Sequence, residues 1–280
     1  MFKTEAGQKR YFAAYDATLA LWPVPVTAMQ VPTRFGTTHI NICGSADAPP
    51  LVLLPGAAVS STMWYPNIAA LSGAYRVYAL DIIGDMGKSV CTQRPTKALE
   101  YVQWLGDVFD ALRLEHAHVV GISLGGFLAL KLAQLAPERV RNLVLLSPAS
   151  LLSIRPSFYL RVAAAILWPR LSPEKRQRLF LGMASPNAAP MITQLMTPTD
   201  FRYRMFFAKA ETDAELRRVK APTLLLLGEH EVIYPAETAL KRAMKLMPNV
   251  EAALVADAGH AVNIDQPEKV NQYILAFLDQ

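Results

Sequence analysis

The chain has 280 residues, of which 52% are hydrophobic, with 14 glycines and 20 prolines available for turns. This length and composition can bury a large core and exclude a disordered chain. No window reaches the roughly 18 uninterrupted apolar residues of a membrane span, and no apolar signal region follows the polar start MFKTEAGQKRYF, so we expect a cytoplasmic protein without integral membrane association.

The net charge of +5 is unevenly distributed. Residues 151–220 hold 12 Lys and Arg against 5 Asp and Glu, a balance of +7, and the rest of the chain holds 16 against 18, a balance of −2. We interpret the basic excess as a solvated helical surface, with attraction of anionic substrates, lipid headgroups or nucleic acid as the alternative. No aromatic-interleaved basic tract or known nucleic-acid module is present, so no nucleic-acid partner is expected.

Strand and helix patterns alternate along most of the chain. Residues 3–22 predict a leading helix, and VTAMQVPTRFGTTHINICG predicts a hairpin that opens a sheet. Residues 99–115 and 124–140 repeat apolar side chains at intervals of three and four, which predicts two further helices. Six short apolar runs bounded by Gly, Pro or Asp predict strands at 50–56, 75–81, 117–123, 140–147, 222–228 and 251–257. The alternation indicates an α/β fold with a mostly parallel sheet covered by helices on both faces.

The alternation breaks between the fourth and fifth of those strands. Helix-like stretches at 157–168, 172–183 and 200–219 are rich in Met, Phe and Leu, and no convincing strand lies among them. We therefore predict a core formed by residues 1–148 and 221–280 and an inserted helical cap, 149–220, over the C-terminal edge of the sheet. The insertion offers side chains suited to an adaptable apolar pocket: Phe158, Trp168, Met183, Met191, Met196, Met205 and Phe206.

The motif GISLGG, residues 121–126, follows the apolar run HVV and begins a predicted helix. In G-x-S-x-G at a strand-to-helix turn, the serine has a strained backbone and an exposed hydroxyl, and the flanking glycines avoid clashes with the neighbouring strand and helix. The helix start also favours a developing oxyanion. The motif therefore predicts Ser123 as a nucleophile.

A serine nucleophile needs a histidine base that a carboxylate orients. His260, in DAGHAVNIDQPEKV, follows the last predicted strand and precedes the final helix, which places it at the same sheet edge as Ser123. His230 is the nearest alternative among the other histidines, although its neighbours predict a turn. We predict His260 as the base.

Three segments together resemble the α/β-hydrolase fold over nearly the whole chain: an apolar strand followed by GISLGG, one followed by GEHEVIYP, and one followed by DAGH. The segments LLPGAAVSSTMWYPNIAALS, YALDIIGDMGKS and LLLLGEHEVIY further resemble bacterial carboxylesterases of the naproxen-esterase type, which act on bulky aryl-propionate esters. The resemblance implies a serine esterase with a Ser, Glu and His triad.

The resemblance places the acid three residues after the glycine that closes the strand TLLLLG, and that residue is Glu231. A glutamate can accept the imidazole N–H if its loop stands slightly further back than an aspartate loop would. The end of the preceding strand, LLSPAS, offers no carboxylate, and Glu229 and Asp257 remain as alternatives.

The resemblance also implies an oxyanion hole made of two backbone N–H groups, from Leu124 and from Ala57 in the loop after LVLL. The sequence departs from the common His-Gly pair of the family, since it has Pro55 and Gly56 there. The backbone donor survives this change, but any hydrogen bond from the histidine side chain would be lost.

No cofactor and no metal are expected. GDMGKS ends like a phosphate-binding loop, but Ile82 stands where the first glycine would be required, so we reject nucleotide binding and expect Asp81, Gly84 and Ser89 to shape a turn near the site. The two cysteines have neither a CxxC spacing nor a companion histidine, and are expected to be reduced.

These features predict a carboxylesterase-type serine hydrolase that cleaves small to medium apolar or aromatic esters through an acyl-enzyme. The expected partner is a small-molecule ester, and a homodimer stays open. Lactonases, perhydrolases and carbon–carbon bond hydrolases share this constellation, and a non-enzymatic ligand sensor on the same fold is the alternative of a different class.

Overall fold

The computed structural model describes residues 2–168, 170–203, 206 and 208–280, without the side chain of Ile166. The strands are β1 (Thr27–Thr33), β2 (Gly36–Cys43), β3 (Pro50–Leu54), β4 (Arg76–Leu80), β5 (Val90–Cys91), β6 (Ala117–Ile122), β7 (Val140–Leu146), β8 (Thr223–Gly228) and β9 (Val250–Val255). The helices are α1 (Glu5–Leu19), α2 (Ile68–Ala74), α3 (Ala98–Ala111), α4 (Leu124–Leu135), α5 (Pro156–Leu167), α6 (Pro173–Leu181), α7 (Ala189–Met196), α8 (Asp213–Arg217), α9 (Ala236–Leu246), α10 (Val262–Asp265) and α11 (Pro267–Leu278).

The nine strands form one sheet in the order β1-β2-β4-β3-β6-β7-β8-β9, and the short β5 pairs with β2. The hairpin β1–β2 is antiparallel and joins β4 antiparallel, whereas the pairings β4–β3, β3–β6, β6–β7, β7–β8 and β8–β9 are all parallel. The strand order reverses at β3, which lies between β4 and β6, and ligand sites of open α/β sheets form outside the carboxyl ends of strands at such a point. The predicted hairpin and mostly parallel sheet are confirmed.

Helices cover both faces of the sheet. On one face, Trp104 and Phe109 of α3 pack with Leu128 of α4 in a single apolar cluster. On the other face, Ile68 of α2 and Ile274 of α11 belong to a second cluster. Because β6 and β8 lie between the two clusters, both strands are buried at every position, which explains why their sequences are continuous apolar runs.

The segment between β7 and β8 contains α5, α6, α7 and α8, and its described residues include no strand. The helix predicted over 200–219 is wrong for most of its length, because the described residues before α8 are not helical and Thr212 caps α8 through a reciprocal bond with Glu215. Two described aromatic residues of this stretch contact separate parts of the molecule: Phe201 packs on Phe2, and Phe206 packs on Phe127. Met205, predicted to line an apolar pocket, lies outside the described residues.

No helix in the described part of the chain is long and apolar enough to cross a membrane. The two cysteines are unpaired, with Cys43 buried and Cys91 half-buried.

Candidate active site

Ser123 lies between β6 and α4 in a sharp turn. Its φ of 53° and ψ of −112° are a strained conformation for a residue with a side chain, and Ser123 N–H donates to the Leu146 carbonyl of the neighbouring strand. The geometry is that of a strand-to-helix turn that projects the serine hydroxyl from the sheet edge.

Three glycines of the motif allow this turn because no side chain would fit. A Cβ on Gly121 would lie 2.3 Å from the Gly125 carbonyl oxygen, and one on Gly125 would lie 2.1 Å from the Leu54 carbonyl oxygen. A Cβ on Gly126 would lie 2.9 Å from the Pro148 side chain. The glycines therefore let α4 approach β6 and β3 closely, as the sequence predicts.

The structure brings Ser123, His260 and Glu231 into one chain of hydrogen bonds. His260 Nε2 lies 2.9 Å from Ser123 Oγ, and His260 Nδ1 lies 2.7 Å from Glu231 Oε2. Each residue follows a different parallel strand: β6, β8 and β9. A ring whose Nδ1–H donates to a carboxylate has Nε2 free to accept the proton of a hydroxyl, which is the tautomer that a general base needs.

Glu231 is held as a carboxylate by its surroundings. Its side chain is inaccessible to solvent, and the second oxygen, Oε1, accepts the backbone N–H groups of Val232 and Ile233, each at 2.8 Å. Burial alone would raise the pKa of Glu231, but attraction to His260 and hydrogen bonds from that ring and from Ile233 lower the pKa below its ordinary value. The fixed carboxylate sets both the orientation and the tautomer of His260.

The rival groups lie elsewhere. Glu229 and Asp257 are exposed, and the Glu229 carboxylate accepts the Asp257 N–H at 3.4 Å, which is a local loop contact. His230 is also exposed, whereas His118 is buried at the start of β6 and its pKa is lowered to about 4, chiefly by that burial. Of these candidates, His260 is the histidine that bonds to Ser123, and Glu231 is the acid that bonds to His260.

The two segments that carry the predicted oxyanion donors lie beside Ser123. Leu124 is the first residue of α4, so its N–H has no partner within the helix. The loop carrying Ala57 lies beside the serine, because a Cβ on Gly56 would lie 3.6 Å from the Ser123 Cβ. Gly56 has no special backbone conformation and a side chain would be in ordinary contact, so its small size is not what the turn requires.

Two buried aspartates, Asp81 and Asp85, hold the loop at Ala57. The sequence predicted a turn at Asp81 but no role for Asp85. Asp85 Oδ1 accepts the Ala58 N–H at 3.0 Å and the Met86 N–H at 2.6 Å. Asp81, predicted to shape a turn, accepts the Ser61 N–H and hydroxyl at 2.8 and 2.7 Å. The aspartate of GDMGKS is Asp85, so its presence near the site was visible in the sequence. Its bond to the Ala58 N–H on another loop is visible only in the fold.

The turn after β4 has the predicted shape. Gly84 and Gly87 have φ of 77° and 147°, and Ser89 Oγ donates to the Asp81 carbonyl while accepting the His39 N–H. Asp81 Oδ2 accepts the Lys88 N–H at 2.7 Å, and a Cβ on Gly87 would collide with the same carboxylate. This turn is a scaffold for the loop at Ala57, because Asp81 bonds both to the turn and to Ser61.

The loop that carries His260 is fixed from two sides. Gly259 N–H donates to Asp265 Oδ2 at 2.8 Å, and His260 N–H donates to the Leu181 carbonyl at the end of α6 at 2.6 Å. A helix between β7 and β8 therefore contacts the histidine loop directly. Within the described part of the chain, no three His, Cys, Asp or Glu side chains are grouped so that they could hold a metal ion.

Comparison with known proteins places this site in a family. Residues 51–273 match the model of the alpha/beta hydrolase family. The chain belongs to this family. It is 40% identical to carboxylesterase YbfK of Bacillus subtilis, over 96% of this chain and 93% of that protein. It is 38% identical to the uncharacterized carboxylesterase nap of the same organism, over 96% and 92% of the two chains.

A solved structure of naproxen esterase from Bacillus subtilis superposes on nearly the whole molecule. The TM-score is 0.88 at 39% identity, and the match covers 99% of each chain. The predicted α/β-hydrolase fold and the predicted resemblance to carboxylesterases of the naproxen-esterase type are both confirmed.

Proposed function

We propose that this α/β hydrolase is a serine carboxylesterase in which Ser123 is the nucleophile, His260 the general base and acid, and Glu231 the residue that orients His260. The main support for this proposal is the hydrogen-bonded chain from Ser123 Oγ through both ring nitrogens of His260 to the buried Glu231. Sequence and structural similarity to carboxylesterases over almost the full chain supports ester hydrolysis as the reaction.

In the acylation step, His260 Nε2 takes the Ser123 proton as Oγ attacks the ester carbonyl. The carbonyl oxygen becomes an oxyanion, which the N–H groups of Ala57 and Leu124 stabilise, together with the positive end of the α4 dipole. His260, now an imidazolium beside Glu231, gives its proton to the alcohol that leaves. Ser123 is then acylated.

Deacylation repeats these roles with water. His260 takes a proton from a water molecule as the water oxygen attacks the acyl carbon, and returns the proton to Ser123 Oγ when the acid leaves. Every residue that we assign to these two steps belongs to one chain. Light scattering on the purified protein determines whether a homodimer forms.

The substrate class that we propose is small to medium apolar or aromatic esters. We further propose that residues 149–220 act as a cap on a core of 1–148 and 221–280. The contact from His260 N–H to Leu181 and the packing of Phe206 on Phe127, four residues after Ser123, support a cap that bounds the acyl site with apolar side chains.

A fluorophosphonate probe tests the proposal directly. We expect one covalent adduct, at Ser123, together with turnover of a simple p-nitrophenyl ester, and we expect Ser123→Ala to lose both. Labelling without turnover would favour the ligand sensor, and equal labelling of Ser123→Ala would place the nucleophile elsewhere. Assays on lactones, peracid formation and carbon–carbon substrates separate the esterase from hydrolases that share the triad.

We also propose a cytoplasmic location. The free thiols of Cys43 and Cys91 support it, because secreted proteins more often pair their cysteines. Fractionation of producing cells tests the proposal, and recovery in a periplasmic or culture fraction contradicts it. A nucleic-acid partner is not proposed, since no recognition module accompanies the basic segment.

A further inference from the structure

The helix α5 presents an apolar stripe to solvent. Leu160 and Leu167 are 72% and 77% exposed, and Trp168, directly after the helix, is 64% exposed. Leu160, Ala163, Ala164 and Leu167 recur at the i, i+3, i+4, i+7 spacing of one helix face. Most exposed leucines on a protein surface are isolated, whereas this group is contiguous.

The opposite side of α5 packs against the rest of the molecule. Ala165 is fully buried, and Phe158 packs against the apolar cluster that contains α3 and α4. The helix is thus held through one face, and the Leu160–Leu167 stripe is not needed to attach it.

Exposed basic side chains lie on the same pair of helices as the stripe. Arg155, Arg161 and Arg170 are exposed on or beside α5, and Lys175 is exposed on α6. Arg176 of α6 donates to the carbonyls of Ala165 and Trp168, which fixes α6 against the C-terminal end of α5. Residues 151–180 contain six Lys and Arg against one acidic residue, Glu174.

We propose that this surface docks the enzyme on an anionic lipid bilayer. The docking face comprises Tyr159, Leu160, Leu167 and Trp168 with the basic residues Arg155, Arg161, Arg170 and Lys175. Leucine and tryptophan side chains enter the boundary between headgroups and acyl chains, and the surrounding cations are attracted to anionic headgroups. The solvated-surface interpretation of the basic segment does not explain the exposed leucines, which only the fold reveals.

Charge distinguishes this partner from a second copy of the chain. A two-fold contact through the docking face would bring the arginines of both copies together and cost electrostatic repulsion. Nucleic acid would satisfy the charges but would leave the leucines and the tryptophan without an apolar environment. A bilayer with anionic headgroups matches both properties at once.

Trp168 gives the binding experiment a local signal. The other three tryptophans, Trp22, Trp64 and Trp104, are buried, so a change in fluorescence at the surface reports on Trp168. We would mix the full chain, as wild type and as Ser123→Ala, with vesicles of phosphatidylcholine alone or with phosphatidylglycerol. Because binding is measured without turnover, a failed esterase assay would leave this test intact.

We expect co-sedimentation only with the phosphatidylglycerol vesicles, a shift of Trp168 emission to shorter wavelength, and quenching by brominated acyl chains. Added salt should weaken binding. Arg161→Gln and Lys175→Gln should each weaken it about fivefold. Leu160→Asp should weaken it about tenfold or more, since it removes apolar area and adds a repelled charge. Trp168→Phe should lose the emission shift but still sediment.

The matched control is Leu99→Asp, which makes the same change at a leucine that is 54% exposed in the first turn of α3, outside the docking face. It should bind vesicles like the wild type. Circular dichroism of each variant checks that the fold is intact, which is expected because the substituted side chains are exposed. Equal binding to phosphatidylcholine alone, unchanged binding of Leu160→Asp, or a wild-type dimer that Leu160→Asp dissociates would each overturn the proposal.

Discussion

At the scale of single residues, Glu231 is the position where charge and geometry can be separated by substitution. Glu231→Gln keeps the shape but presents an amide N–H to the His260 ring, which favours the wrong tautomer and leaves the imidazolium without its counter-charge. We expect kcat/KM for a short p-nitrophenyl ester to fall by about 10⁴. Glu231→Asp keeps the charge but shortens the reach by one methylene, and a displacement of about 1 Å costs on the order of 10².

The control for this series is Glu229→Gln, two residues away on the same loop and exposed to solvent. It loses only the contact with the Asp257 N–H and should remain close to wild type. Near-normal activity of Glu231→Gln, together with a dead Glu229→Gln or Asp257→Asn, would assign the acid to the exposed part of the loop instead.

Asp85 makes a prediction about stability and pH. Burial raises the pKa of Asp85 from its ordinary 3.8 to about 7, although hydrogen bonds from Met86 and Ala58 and the charge of Arg94 oppose the rise. Between about pH 4 and pH 7 the folded protein keeps a proton that the unfolded chain has released, so this group lowers the free energy of unfolding as pH rises through that window. The full effect is on the order of 4 kcal/mol.

The melting temperature of Asp85→Asn should therefore match that of the wild type at about pH 4 and exceed it by several degrees at about pH 8. The asparagine can still accept the Ala58 N–H. Asp107→Asn is the control of opposite sign, because hydrogen bonds from Arg34 overcome the effect of burial and lower the pKa of Asp107. That variant should lose stability above its ordinary pKa. A pH-independent difference between Asp85→Asn and the wild type would show that Asp85 is ionised throughout.

At the scale of secondary-structure elements, the sequence predicted an element correctly where the fold buries the same positions that the local apolar pattern marks. β6 and β8 are buried on both faces, so a continuous apolar run bounded by Gly marks each of them. The serine turn was predictable because the whole G-x-S-x-G constraint lies within five residues. The helix prediction was wrong over most of 200–212, because Phe201 and Phe206 are placed by the distant partners Phe2 and Phe127, which periodicity cannot reveal.

The same distinction explains what was missed at the site. Ser123, Glu231 and His260 each stand at a fixed place after a strand, so their order in the chain was informative. Asp85 and Asp265 act on backbone N–H groups of other turns, at Ala58 and Gly259, and no local spacing announces such a contact.

Gly125 tests how closely α4 approaches β3. In Gly125→Ala the new Cβ would lie 2.1 Å from the Leu54 carbonyl oxygen, so helix and strand must separate. We expect a loss of about 3 kcal/mol in the free energy of unfolding, from denaturant titration, and slower labelling of Ser123 by fluorophosphonate. Gly106→Ala inside α3 is the control, since a Cβ there meets nothing within 4 Å and should stabilise the helix by about 0.5–1 kcal/mol. Equal stability of the two variants would contradict the close approach.

At the scale of the whole molecule, the positive charge is concentrated in a different segment of the chain from the proposed triad. Residues 151–220 carry a balance of +7 against −2 for the rest of the chain. The triad belongs to loops after β6, β8 and β9, and the basic residues Arg161 and Lys175 lie on helices of the insertion. Attraction to an anionic surface can therefore orient the insertion toward that surface while the triad keeps its geometry.

The insertion that we propose as a cap contacts the elements around the proposed site. His260 is only 8% exposed and Ser123 is half-buried. The Leu181 carbonyl accepts the His260 N–H, and Phe206 packs on Phe127 of α4. A cap that closes over an apolar site would favour acyl groups that fit within it over long chains that must extend beyond it. We expect kcat/KM across a p-nitrophenyl ester series to peak at short to medium acyl chains, with aromatic acyl groups also accepted, and to fall toward palmitate.

Docking on a bilayer would concentrate such esters near the enzyme without making it a lipase, so triolein emulsions should give no jump in rate at the oil–water interface. Rates that climb steadily to palmitate, or that jump at that interface, would show an open lipid-binding site in place of the closed one.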